Sequence, residues 1–587
     1  MELNEESKIE KKTILYHILL LSILSLILYI SNTQNIGFEG KDEYRYAEVA
    51  KEVSWGTNLF VMHYDGEPYP DKPPLFFWIV KLLYIIGGGI SPFNFRIYCI
   101  LCGIAGIIIT YFIALKLYND KNIALFSGLF LMIASRYFWG TRWARLDIPF
   151  CFFIYLAMFS FVLWYFDYKR NATSLAQRIV GNAYMRSSQE EIHTSNPFQE
   201  GTLEMNLALN QKRKNLYIYL FWIFLALGTL TKGPLGIIIP IGSILLFLIL
   251  NKDLKSFLQT KLLIGVIIVI VLVGIWLIPA IIMGGKNYSN DLIFQQNITR
   301  LVSPWRHKQP IYYFWGKLFI DFLPGILFLP SALIIGLQKK NFKKDIPFLF
   351  NFSWFTFTLI FFSFSPSKRG QYVLPMYPAM AMLVSSFLFI NKNITSPIKY
   401  KKIPLYVFTT IGVIAAIILP FITHKINKRF GINLNTFGIT LLVLFSLSSL
   451  LLIFIVTLKN KLKHCIIFTI ILMIIIYIFL IFRVFPSEHK ETLDKQFAQL
   501  IESYRYDNKI NEIVIYEDFN PRLIIYGNYF IKNIIKEDEF KNILLDNQRR
   551  LVLIYEDNIE KFRNELSNIE LVKKFQMPDK NLFIYKK

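Results

Sequence analysis

Apolar residues fall along this chain in long unbroken runs, not in the alternating pattern of a half-buried strand. Runs near 13–31, 95–117, 122–140, 148–167, 216–231, 234–250, 262–283, 311–336, 346–364, 371–390, 403–423, 437–457 and 464–482 are rich in Ile, Leu and Phe throughout. A helix needs about 20 such residues to cross a bilayer, and a membrane barrel would alternate. The pattern predicts thirteen spanning helices. The first run is long and lacks a small-residue cleavage site, so it reads as a retained helix. The segment 73–89, PPLFFWIVKLLYIIGGG, is apolar but short, with Lys81 at its middle and Gly87–Gly89 at its end. It reads as an interfacial helix.

That choice sets the side of every later loop, and the basic residues arbitrate. With 73–89 interfacial and the N-terminus cytoplasmic, the densest Lys/Arg clusters fall on alternate, cytoplasmic loops: Lys8–Lys12, Lys116–Lys121, Lys339–Lys344, Lys399–Lys402 and Lys459–Lys463 among them. The C-terminus is then expected outside. Two stretches break the apolar pattern. Residues 168–214 are polar and read as a loosely structured cytoplasmic insertion with weak helical potential. Residues 484–587 alternate short apolar runs (IVIY, RLVLIYE, NLFIY) with charged helical stretches, which predicts an extracytoplasmic α/β domain of about 100 residues. The organisation expected is a transmembrane catalytic domain over 1–483, with a first outer loop at 32–94, followed by this domain.

Composition agrees. Of 587 residues, 54% are hydrophobic and 18% charged, with mean hydropathy +0.42. These values exclude a cytosolic enzyme, a disordered chain and a disulfide scaffold. The net charge of +23 would suggest nucleic acid in a soluble protein. Here its place in short loops makes it a topology signal, and no nucleic-acid partner is expected. Cys99, Cys102, Cys151 and Cys465 lie in or beside apolar runs and read as core residues.

Polar residues at the outer boundary carry the candidate chemistry. In FEGKDEYRYAEVAKEV, Asp42, Arg45 and Val49 share one helical stripe. Asp147 opens an apolar helix in RLDIPF, on the same side by parity. Each has an ordinary explanation, a surface ion pair for the first and a helix cap for the second. Lys72, Lys232, Lys368 and Arg369 gather on that face, with Arg300, Arg306, His307 and Lys308 in the loop before the eighth span. Cations there run against the positive-inside bias, and a phosphate is a natural ligand for Lys and Arg donors. Carboxylates and cations beside an apolar groove fit a lipid-phosphate substrate.

The motifs DEYRYAEVAKEV, GEPYPDKPPLFFW, RLDIPF, LTKGPLG and SKRGQYVLP occur in an order that resembles the 4-amino-4-deoxy-L-arabinose lipid A transferase family, a branch of the GT-C glycosyltransferases related to protein O-mannosyltransferases. The resemblance covers roughly 30–390, with the C-terminal part matching in layout. It implies a multi-pass α-helical enzyme of the bacterial inner membrane, with its active site facing the periplasm. Such an enzyme moves a sugar from a polyprenyl-phosphate carrier to lipid A or another envelope acceptor, with inversion. The carrier-linked sugar, the acceptor and membrane lipids are the expected partners. Asp42 and Asp147 match the family's two catalytic carboxylates. Arg45, Lys72 and Tyr372 match positions that hold the carrier phosphate, and Lys368 and Arg369 flank Tyr372. Glu43, Asp71, Lys232, Arg300 and His307 are further site candidates. Asp71 stands where many relatives carry Glu, and Gln296–Asn297 replace a Glu-His pair of several relatives. No cofactor is required by the chemistry, and a divalent metal is compatible with it. An acceptor hydroxyl on protein is the alternative within the enzyme reading. A lipid-linked-sugar flippase, the rival of another class, predicts polar residues at the bilayer midplane, where this sequence has few.

The alternating basic loops make one direct forecast. A topology reporter fused after Ser487 should read extracytoplasmic and one fused after Phe342 cytoplasmic. Both reading on one side would disprove the helix count between them.

Overall fold

The computed structural model describes residues 2–54, 58–186, 197–299, 308–338, 345–389, 398–430, 436–484, 488–510, 512–517, 519–577 and 580–587. The first half builds α1 (Glu2–Ile30), α2 (Gly40–Glu52), a hairpin of β1 (His63–Tyr64) and β2 (Glu67–Pro68), α3 (Leu75–Ile86), α4 (Pro92–Tyr118), α5 (Lys121–Ile133), α6 (Ser135–Thr141), α7 (Asp147–Arg186), α8 (Pro197–Lys232), α9 (Leu235–Leu250) and α10 (Leu262–Asn290). Helices Tyr313–Asp321, Gly325–Gln338, Ile346–Phe364, Tyr377–Phe389, Lys399–Phe430, Thr436–Leu458 and Leu462–Phe479 follow. Each of the thirteen expected runs falls on apolar helix. Among the described residues nine helices are long and apolar enough to cross a membrane, and eleven if each of two bent pairs counts once. The bent pairs are α5–α6, at 67°, and the helices at 313–321 and 325–338, at 119°. The runs at 234–250 and 437–457 fall on shorter apolar helices.

α3 has 12 residues. At about 1.5 Å per residue it reaches about 18 Å, short of the roughly 30 Å hydrocarbon core. Lys81 Nζ donates to the carbonyl of Lys51 at 2.6 Å, tying α3 back to α2. Both observations agree with an interfacial helix. The insertion differs from expectation. Its described backbone is helical, because α7 runs on to Arg186 and α8 begins at Pro197. The sequence there (QEGTLEMNLALNQKRK) is rich in good helix formers, and polarity alone masked that.

The C-terminal region is a five-stranded mixed sheet of order β4-β3-β5-β7-β6, built from β3 (Glu512–Tyr516), β4 (Lys532–Ile534), β5 (Arg550–Tyr555), β6 (Glu570–Gln576) and β7 (Asn581–Lys586). β3 runs parallel to both β4 and β5, and β7 is antiparallel to β5 and β6. One face packs on the helix Glu488–Asn508 through Phe497 and Ile501, and the other on the helix Glu537–Leu545 through Phe540 and Leu544.

Between these parts lies the loop over residues 32–94, fixed by one ion pair inside the protein. Arg96, on α4, and Glu43, on α2, are both buried, with 1% and 0% of their side chains exposed. Arg96 Nε and Nη2 donate to the two carboxylate oxygens at 2.8 and 2.7 Å. Its remaining protons go to the carbonyls of Thr33, Ile36 and Gly37. Glu43 also accepts the N–H groups of Glu39 and Ala144, each at 2.6 Å. Every polar valence of the pair is used, which a buried ion pair needs. Arg142 closes the same region by donating to the carbonyls of Leu28, Tyr29 and Ser31, at the C-terminal end of α1, where a cation is favoured.

Arg96→Met should destabilise the folded protein by about 3–5 kcal/mol, because it strands a buried carboxylate. Thermal denaturation in detergent measures this. The double variant Arg96→Met/Glu43→Leu should recover part of the loss, and equal losses would show that packing, not charge pairing, dominates.

Candidate active site

α2 sets the first two functional side chains. Residues 42 and 45 lie one turn apart, and Asp42 Oδ1 accepts from Arg45 Nη2 at 2.6 Å. The other oxygen of Asp42 accepts from Arg145 Nη2 at 2.8 Å and Arg369 Nη1 at 3.0 Å. Three guanidinium groups thus surround one carboxylate. Burial raises the pKa of Asp42, but Arg145, Arg45 and Arg369 outweigh it and hold the group below the ordinary carboxylate range. Asp42 is therefore ionised at neutral pH and is a weak base.

Asp147 is the first residue of α7. Its Oδ1 accepts from Lys232 Nζ at 2.5 Å, and its Oδ2 lies 3.7 Å from Arg145 Nε. Arg145 therefore links the two carboxylates that parity had placed on one face. The residue types in the sequence signalled Asp147 but not Arg145, although it lies two positions earlier in RLDIPF. Its signal was a cation on a loop where cations are sparse.

The LTKGPLG motif has a mechanical reason. α8 ends at Lys232, Gly233 turns with φ +78°, and α9 folds straight back. A Cβ on Gly236 would sit 2.4 Å from the backbone of Gly228 and Thr229, so only glycine lets α8 and α9 meet there. This hairpin holds the Lys232 ammonium 5.1 Å from the ring centre of Phe150 and 5.3 Å from that of Tyr372.

Beside these groups is a cavity of about 410 Å³. Asp71, Lys72, Lys232, Ser365, Ser367 and Tyr372 supply polar lining, and Leu235, Ile238, Val273, Trp276 and Leu277 form apolar wall. Trp276 is fixed by its indole N–H, which donates to the carbonyl of Phe60 at 2.9 Å. The lining comes from the 70–73 loop, α8, α9, α10 and the segments around 292–293 and 362–372. α10 is apolar from Leu262 to Met283, so sequence could not tell this wall from any other span.

The SKRGQY segment is held from below. Arg136 Nε and Nη2 each donate to Asp321 at 3.0 Å. A Cβ on Gly370 would come within 2.9 Å of that carboxylate and 3.1 Å of the guanidinium. Arg369 is thereby turned toward Asp42. Lys368 turns the other way: it is buried and donates to the carbonyl of Gln309 at 2.8 Å, outside the cavity lining. Glu43 is also turned away, into the Arg96 pair. Arg300 and His307 lie outside the described residues, as do the side chains of Gln296 and Asn297. Among the described residues no three His, Cys, Asp or Glu side chains gather as metal ligands. The structure thus brings together Asp42, Arg45, Asp71, Lys72, Asp147, Lys232, Arg369 and Tyr372, with Arg145 between the carboxylates.

With this geometry in view, the similarities to other proteins become informative. The family described as dolichyl-phosphate-mannose-protein mannosyltransferase matches residues 17–183. An uncharacterized protein of Aquifex aeolicus (strain VF5) is 28% identical over 404 residues, covering 68% of this chain and 69% of that protein. An undecaprenyl phosphate-alpha-4-amino-4-deoxy-L-arabinose arabinosyl transferase of Enterobacter sp. (strain 638) is 25% identical over 381 residues, and the match spans 64% of this chain and 60% of the transferase. The crystal structure of ArnT from Cupriavidus metallidurans bound to undecaprenyl phosphate superposes with a TM-score of 0.70 at 15% identity, over 97% of both chains. The archaeal oligosaccharyltransferase AglB from Archaeoglobus fulgidus, in complex with an inhibitory peptide and a dolichol-phosphate, superposes with a TM-score of 0.52 at 12% identity, over 95% of this chain and 71% of that one. The resemblance carried by the five motifs is borne out: the chain is similar in sequence to the arabinosyl transferases and shares the fold of the ArnT structure.

Asp42→Asn and Asp147→Asn should each abolish the activity of this site; the thermal midpoint should stay near wild type for the partly exposed Asp42 and fall for Asp147, whose loss strands the buried Lys232 ammonium, with the protein still folded. Arg145→Lys keeps the charge but cannot reach both carboxylates, and should lower the rate about ten- to a hundred-fold. Loss of the folded protein in the Asp variants would instead assign these carboxylates a structural role.

Proposed function

We propose that this chain is a multi-pass membrane glycosyltransferase of the bacterial inner membrane, transferring a sugar from a polyprenyl-phosphate carrier to lipid A or a related envelope glycolipid on the periplasmic face. The observation that carries the reading is the cavity, whose polar end holds Lys72, Lys232 and Tyr372 and whose other walls are apolar. A sugar phosphate matches the first and a polyprenyl tail the second. Five cations (Arg45, Lys72, Arg145, Lys232, Arg369) accompany three carboxylates (Asp42, Asp71, Asp147), leaving an excess of two positive charges that suits a phosphate. The names of the Enterobacter transferase and the lipid-bound ArnT and AglB structures support the same donor class.

In the proposed step an acceptor oxygen attacks the anomeric carbon opposite the phosphate. The bond from that carbon to the phosphate oxygen breaks, its electron pair leaves with the polyprenyl phosphate, and the configuration inverts. The cations stabilise the charge that grows on the leaving oxygen. Asp42, surrounded by three guanidinium groups, is poorly suited to taking a proton from a hydroxyl. An acceptor phosphate needs no such help, and this favours a glycolipid phosphate over a protein hydroxyl. The protein O-mannosyltransferase reading keeps one observation of its own, the family match over residues 17–183.

Purified protein in lipid nanodiscs, given an undecaprenyl-phosphate-linked sugar with lipid A or with a Ser/Thr peptide, decides between them. Product on lipid A, in the presence of chelator, is expected. Peptide glycosylation alone would favour the second reading, and no turnover of carrier-linked sugar would refute both. Lys72→Ala and Arg45→Lys should raise the donor concentration needed by about ten- to a hundred-fold, the loss of one charge-assisted hydrogen bond. A shift in the acceptor dependence alone would move these residues to the acceptor's phosphate.

A further inference from the structure

The helix that carries Asp42 cannot hold its own orientation. α2 has 13 residues, and the side chain of its N-cap residue, Glu39, makes no capping hydrogen bond to the helix. Isolated helices of that length are marginal in water. Its three stripes are held by three different surroundings. Asp42 and Arg45 face the ion-pair cluster with Arg145 and Arg369, and Glu43 faces Arg96 in the helical core. Tyr44, Glu48 and Lys51 form the third stripe by the three-and-four spacing, and this one meets the C-terminal domain.

The contacts on that stripe are specific. The Tyr44 hydroxyl donates to Asp494 Oδ2 at 2.7 Å. Asp494 is 2% exposed, and its other oxygen accepts from Arg522 Nε. Lys51 Nζ donates to the carbonyls of Ile524 and Gly527, at 3.0 and 2.6 Å, and to Glu48 at 3.0 Å. In the turn between β1 and β2, Asp65 Oδ1 accepts the N–H of Ile531 at 3.0 Å. None of these residues lines the cavity. They join α2 to residues more than 400 positions away, across the boundary between the membrane helices and the sheet domain.

We propose that the C-terminal α/β domain positions the active site: through Tyr44 and Lys51 it completes what the Glu43–Arg96 pair begins, fixing the rotation of α2 and with it the places of Asp42 and Arg45. The lever is short. With side chains an α-helix is about 10–12 Å across, so a rotation of about 10° moves a side-chain tip by about 1 Å. A displacement of that size costs on the order of a hundredfold in rate when it misplaces a reacting group. Tyr44 and Lys51 are positioning residues in this scheme, since their hydrogen bonds go to the C-terminal domain and not to the Asp42–Arg145–Asp147 cluster. The proposal rests on the transferase reading above.

The test uses the full chain in nanodiscs, with Tyr44→Phe, Lys51→Met, Asp494→Asn and the conservative Lys51→Arg. Two readouts run in parallel: transfer rate against donor concentration, and amide hydrogen exchange of residues 40–52. In Tyr44→Phe and Lys51→Met, kcat should fall about ten- to a hundred-fold while the donor KM changes less than about threefold. Exchange across α2 should quicken while the thermal midpoint holds. Lys51→Arg, which can still donate to both carbonyls, should restore most of the rate. Unchanged kcat and unchanged exchange in folded Tyr44→Phe and Lys51→Met overturn the proposal. So does a loss of kcat that matches the loss of folded protein. A wild type inert toward carrier-linked sugar overturns the transferase reading instead, and the exchange arm still decides whether the sheet domain holds α2.

Discussion

The ion pair between Glu43 and Arg96 is the contact on which the rest of the outer face depends. It lies inside the protein, where neither charge could remain alone, and its hydrogen bonds reach four separate stretches of chain: α2, the 33–37 turn, α4 and the loop before α7. Glu43 is flanked by Asp42, and Ala144 by Arg145. One buried carboxylate therefore sets the register of the two segments that meet at the site. Exposed ion pairs contribute little to stability, but a fully satisfied buried one specifies a single arrangement, because every alternative leaves a charge stranded.

The fold was largely legible from apolar run length alone. A bilayer demands long apolar helices, and that demand is written in composition, so each expected run falls on a helix. Asp42, Asp147 and the cations were legible because charge at a membrane boundary is costly and therefore informative. Other features were not. Glu43 and Arg96 look like two more loop and helix-end charges until tertiary structure pairs them over 53 residues. Lys368 and Arg369 are adjacent and chemically alike, yet the close packing of Gly370 on the Arg136–Asp321 pair turns one toward Asp42 and leaves the other on a backbone carbonyl. Sequence shows that such charges exist but not which way each one points. The cavity wall was illegible for a related reason. Where every helix is apolar, hydrophobicity stops discriminating between a lipid-facing span and one that lines a groove.

The assembled site is an electrostatic device more than an acid–base one. Asp42 lies among three guanidinium groups and Asp147 between Lys232 and Arg145, so both carboxylates are committed to holding cations in place. A lattice of alternating fixed charges resists rearrangement, and charges already in position need not reorganise as a bond breaks. The glycines at 233, 236 and 370 serve the same end, letting backbones approach until these side chains have no other direction to take.

The surplus of positive charge has a consequence for turnover. On the proposed reaction the donor is a phosphodiester with one negative charge, whereas the departing carrier is a phosphate monoester that bears between one and two near neutral pH. Cations arranged to favour the developing charge will hold the spent carrier more tightly than the fresh one. On the same reading the tail is common to both forms of the carrier, so nothing in the lipid portion offsets that difference. The slow event in each cycle would then be the departure of the used carrier, and the enzyme's pace would follow how quickly the surrounding membrane removes it.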